Sequence, residues 1–142
     1  MVTFRQGVGD AQAGGYSVPG LLKWEEDYNT LLLALGLCNR ETVARILDVY
    51  RCAELYNAVT GGQRTPEGMV TAGGQIWNLG RAFNAREGFS RQDDMPPPKW
   101  LRVPLMVYGE PAPPMQAGQV NALLDEYYEE RRWDSATGNP RA

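Results

Sequence analysis

The stretch Lys23-Trp24-Glu25-Glu26-Asp27-Tyr28-Asn29-Thr30-Leu31-Leu32-Leu33-Ala34-Leu35-Gly36 sets the class of the fold. Trp24, Tyr28, Leu31, Leu32 and Leu35 recur at i, i+4, i+7, i+8 and i+11, the spacing of one face of a helix. Glu25, Glu26 and Asp27 place negative charge on what reads as the first turn, where the helix dipole favours it, and Gly36 reads as the stop. Outward from this stretch the same period returns. A second helix is predicted with Asn39 as N-cap, running through Val43, Ile46, Leu47, Tyr50, Ala53 and Tyr56 to Gly61-Gly62. Thr65-Pro66 reads as a helix start, a capping hydroxyl followed by proline at the first helical position. Gly68, Gly73 and Gly74 weaken helix in the next turns by up to about 1 kcal/mol each relative to alanine. A third helix is therefore predicted over about Ala72 to Glu87, with Ile76, Trp77, Phe83, Gly73 and Gly80 on one face. Gly80 is expected to admit a closely packed neighbour, and Gly88 to end the helix. The fourth helix places Val120, Leu123, Leu124, Tyr127 and Arg131 on one face, with Asp125, Glu126, Glu129 and Glu130 in water.

The remaining segments lack a period. Residues 1–21 hold Gly7, Gly9, Gly14, Gly15, Pro19 and Gly20 and read as irregular chain. Residues 89–118 carry seven of the ten prolines and cannot continue a helix. An extended surface segment pinned by Trp100, Leu101, Leu105 and Val107 is expected there. With no strand-period run long enough to found a sheet, the chain reads as all-α. It has about four main helices and a long Pro-rich irregular segment, divided into an irregular N-terminal stretch, 1–21, and a helical domain, 22–142.

Composition narrows the function. The chain has 142 residues, 43% hydrophobic and 22% charged, which fits one folded domain. Its net charge is −3, and its only lysines are Lys23 and Lys99, so nucleic acid is not an expected partner. The longest apolar run, Leu31–Leu35, is too short to span a membrane, and the first twenty residues carry no secretory signal pattern. A cytoplasmic location is expected. The absence of histidine removes the commonest general base, the commonest zinc ligand and every histidine-based triad.

Few residues are left to carry chemistry. Neither Gly61-Gly62 nor Gly73-Gly74 is followed by the lysine of a phosphate-binding loop. Glu25-Glu26-Asp27 and Asp93-Asp94 read as structural or solvated carboxylates. Tyr127, Tyr128 and Trp133 read as core beside Leu123 and Leu124. Cys52, in mid-helix, reads as a small buried hydrophobe. Cys38 differs, because it comes directly after a helix end at Gly36-Leu37, where backbone N–H groups can face a cofactor or cluster sulfur.

Four blocks then carry a family resemblance: Leu35-Gly36-Leu37-Cys38, Ile76–Phe89 with its Asn-Leu-x-Arg-x-Phe-Asn-x-Arg-Glu-Gly core, Arg91-Gln92-Asp93-Asp94-Met95-Pro96, and Leu124–Asp134. In this order and spacing they resemble the C-terminal region of the aldehyde ferredoxin oxidoreductase family, over about residue 22 to the C-terminus. The resemblance implies the helical part of a tungsten- or molybdenum-bispterin enzyme with one [4Fe–4S] cluster. Such enzymes oxidise an aldehyde with water to a carboxylate and pass electrons to ferredoxin. It further implies that Cys38 is one cluster ligand, the others lying upstream, and that Gly36, Leu37 and Asn39 belong to the pterin-contacting loop. Leu33 stands where the family's loop usually opens with aspartate, which weakens cofactor contact there. The chain alone is then not catalytic and depends on an upstream pterin-binding domain or subunit; isolated, it is expected to be marginally stable or to self-associate as a homo-oligomer. Two rival expectations are a cofactor-free helical interaction module derived from the family, and a relative with another substrate, such as the tungsten subunit of an aromatic acyl-CoA reductase.

Overall fold

The computed structural model describes residues 17–40, 47–107 and 109–141. Its elements are helices α1 (Val18–Ala34), α2 (Val49–Thr60), α3 (Pro66–Arg86) and α4 (Ala117–Arg131), a 3-10 turn over Arg91–Asp94, and a small hairpin of β1 (Leu105–Val107) and β2 (Glu110–Ala112). The strands pair antiparallel, Met106 opposite Pro111, and are only three residues each. The class is all-α, as the periodicity predicts. The described chain divides into two compact units, residues 20–81 and residues 82–141 with 17–19.

α1 starts at Val18, so residues 18–21, expected to be irregular, are helical. Pro19 suits a first turn, where its fixed φ helps and its missing N–H costs nothing. Glu25 therefore lies in the second turn and Glu26 and Asp27 in the third, not in the first. Tyr28, Leu31 and Leu32 of α1 pack with Cys52 and Ala53 of α2 and Met69 of α3. Trp24 stacks on Tyr28, ring centroids 5.2 Å apart, and the Tyr28 hydroxyl donates to the Leu47 carbonyl.

Asp48, not Asn39, caps α2. Its Oδ1 accepts from the Arg51 N–H at 2.8 Å, which ends any longer helix read through this point. Residues 41–46, part of the predicted second helix, lie outside the described residues. α3 begins at Pro66 as one continuous helix, well before the expected Ala72, with the Thr65 hydroxyl accepting from Gly68 N–H at 3.1 Å.

The glycines inside α3 are tolerated because one of them makes a helix crossing. A Cβ built on Gly73 would stand 2.1 Å from the Asp27 carbonyl oxygen and 3.3 Å from Leu31 Cβ, so only glycine lets the backbones of α1 and α3 come this close. Gly80, expected to do this, does not: nothing lies within 4 Å of a Cβ placed there.

The second unit is organised by polar groups. Arg91 donates from its backbone N–H to Thr137 O (2.9 Å), from Nη1 to Asp125 Oδ1 (2.6 Å) and Ser135 O (2.8 Å), and from Nη2 to Asn121 O (3.0 Å) and Oδ1 (3.1 Å). Its guanidinium also lies 5.2 Å from the centroid of the Tyr128 ring. Tyr128, fully buried, donates its hydroxyl to Asp94 Oδ2 at 2.5 Å. Trp133 packs against Tyr127 and Tyr128, as their core reading predicts. The buried stripe of α4 is Val120, Tyr128 and Arg131 with half-buried Leu124, whereas Leu123 is exposed and Tyr127 half-buried. The predicted stripe holds at Val120, Leu124 and Arg131 and is shifted from Leu123 and Tyr127 to Tyr128, whose partners are polar and aromatic groups that an apolar period does not register. Trp100 is also exposed, so its ring does not pin the Pro-rich segment; its carbonyl does, accepting from Met115 N–H at 3.1 Å.

Candidate functional site

The end of α1 decides how Cys38 is presented. The Gly36 N–H donates to Leu33 O (3.0 Å) and the Leu37 N–H to Leu32 O (2.9 Å), with Gly36 at φ +72°. This 6→1 and 5→2 pair is a Schellman cap, and Leu37 completes it by packing against the core that contains fully buried Leu32. Gly36 is required because the left-handed conformation strains any residue bearing a Cβ.

The cap has two consequences for chemistry. The Gly36 and Leu37 N–H groups, read from sequence as donors toward a cofactor, are occupied by helix carbonyls. Beyond them the Cys38 thiol is exposed, as is Asn39. Leu33, on the last turn of α1, is also exposed, at 63%. The cap therefore ties the backbone of Gly36 and Leu37 to the end of α1, and Cys38 follows directly, exposed.

Cys52 contrasts with it. It is only 1% exposed within the first core, and burial, with a lesser contribution from Asp48, pushes its thiol pKa up. It stays a neutral thiol and behaves as an apolar side chain, as predicted. Among the described residues no group of three or more His, Cys, Asp or Glu side chains is placed to hold a metal ion. No described helix is long and apolar enough to cross a membrane.

The acidic runs resolve into structural roles. Asp93 closes a capping box with Ser90, its Oδ2 accepting from the Ser90 N–H at 2.8 Å. Asp94 accepts from Tyr128. Asp27 is more deeply placed than its acidic neighbours in sequence suggest: it is 2% exposed, pairs with Lys23 Nζ at 2.9 Å, and lies against Gly74, where an added Cβ would meet its carboxylate at 3.1 Å. The sequence signals for this are Lys23 four residues before it and the paired glycines, which admit a side chain between helices. Asp134 fixes the C-terminal turn, its Oδ1 accepting from Thr137 N–H (2.8 Å) and Oγ1 (2.9 Å); these bonds hold its carboxyl below the usual range. The blocks Arg91–Pro96 and Leu124–Asp134 are thus the interlocking parts of the second unit.

Residues 6–142 match the family described as "Aldehyde ferredoxin oxidoreductase, domains 2 & 3". The chain is 32% identical over 111 residues to the tungsten-containing aldehyde ferredoxin oxidoreductase of Pyrococcus furiosus, covering 76% of this chain and 17% of that one. It is 30% identical over 119 residues to the tungsten-containing aldehyde ferredoxin oxidoreductase of Thermococcus kodakarensis, covering 82% of this chain and 18% of that one. The chain therefore spans less than a fifth of the length of these relatives. No solved structure matches it.

Proposed function

The chain belongs to the aldehyde ferredoxin oxidoreductase family, and on that premise we propose that residues 22–142 form the C-terminal helical part of a tungsten- or molybdenum-bispterin oxidoreductase, presenting Cys38 as one thiolate ligand of a [4Fe–4S] cluster. The observation that carries this reading is the exposed thiol held directly beyond the Schellman cap of α1. The donor chemistry fits a shared cluster. A cubane needs four thiolates, Cys52 is buried, and Cys38 is the exposed one. The other three ligands come from the upstream pterin-binding domain or subunit.

When bound, these cofactors supply the redox chemistry, in which an aldehyde and water give a carboxylate, protons and two electrons that leave for ferredoxin. The residues of this chain hold and orient. Gly36 turns the backbone, Leu37 ties the turn to the core, and Cys38 follows this anchored turn directly. Contact with the pterin falls to atoms other than the Gly36 and Leu37 N–H groups, with the exposed Asn39 amide as donor and acceptor. Leu33 contributes an apolar surface beside the loop, which excludes water but accepts no hydrogen bond.

In the metal-loaded assembly, Cys38→Ala is expected to lower iron content and to change or abolish the electron paramagnetic resonance of the reduced cluster, while Cys52→Ala leaves both intact. Equal effects from the two substitutions, or none from Cys38→Ala, would overturn the assignment. The exposed Leu33 also suits a second reading, a helical interaction module without cofactor; a stable assembly devoid of iron would favour it.

A further inference from the structure

We draw no further inference here: the strongest candidate, the surface patch on the turn at residues 99–103 where Trp100 is exposed between the exposed Lys99 and Arg102, carries nothing because nothing in the structure shows what covers it.

Discussion

Residues 20–81 and residues 82–141 are held together by different physics. The first unit is an apolar core, with Leu32, Tyr28, Cys52 and Met69 shed from water and one glycine setting the distance between helices. Among its described residues the second has little aliphatic core; an arginine, two aspartates, two tyrosines and a tryptophan interlock through hydrogen bonds and ring contacts. Area-based burial stabilises the first broadly, so the loss of any one group there is shared. In the second, each group is tied to several others, and removing one leaves the rest unsatisfied.

The largest test of this contrast is Gly73→Leu. The new Cβ alone would collide with the Asp27 carbonyl, and relief requires α1 and α3 to separate. A loss of at least about 3 kcal/mol is expected, read as a lowered midpoint in urea unfolding followed by circular dichroism. An unchanged midpoint would mean that the two helices do not cross there.

Next in size is Arg91→Ala, which removes the centre of the second unit and is expected to cost about 2–3 kcal/mol. Hydrogen exchange should accelerate in α4 and residues 133–140 and remain unchanged in α1 and α2. Arg91→Lys should recover little, because one ammonium cannot replace a fork donating in two directions. Full recovery would show that charge, not geometry, holds the unit.

pH separates the units further. Burial, aided by nearby Cys52, Asp48 and Glu25, pushes the Tyr28 pKa up to about 12. The fold prefers the neutral phenol, so this contribution is intact below about pH 10, the unfolded value, and is lost as pH rises from about 10 to 12. Tyrosine absorbance and core unfolding should move together over that range, and Tyr28→Phe should uncouple them. Titration of Tyr28 at its ordinary value without unfolding would contradict its burial.

The smallest effect has the opposite sign. α4 ends in the same Schellman pattern as α1, with Trp133 N–H on Tyr128 O at 2.8 Å, but the left-handed position is Arg132 at φ +57°. Arg132→Gly should stabilise the second unit by about 1 kcal/mol, seen as a small rise in melting temperature. A fall would mean that the Arg132 side chain contributes more than its backbone costs.

This contrast also explains what is legible in the sequence. Trp24 to Leu35 announce α1, Thr65-Pro66 the start of α3, and Gly36 and Gly88 the ends of their helices, because apolar period, cap and left-handed glycine are local properties. Asp48 as a cap is hidden within a longer apolar period, since the period runs through it. The burial of Tyr128 and Arg131 is legible as a core reading and a helix face, but the partners that Tyr128 and Arg91 take, and the hub role of Arg91, have no local signal, because those partners lie 30 or more residues away. Gly73 and Gly80 look alike in sequence and differ only in what passes over them. For the site, the glycine-bounded helix end before Cys38 is legible, whereas the occupation of the Gly36 and Leu37 N–H groups by the cap shows only in three dimensions.

The central claim is that this polypeptide works as part of a larger cluster- and pterin-bearing oxidoreductase. Anaerobic native mass spectrometry of the protein from its own cells, with iron and tungsten analysis, tests it most directly. The expected result is that its residues are found in a much larger chain or complex carrying four irons and a pterin-bound metal. A free 15.8 kDa species without metal would contradict it.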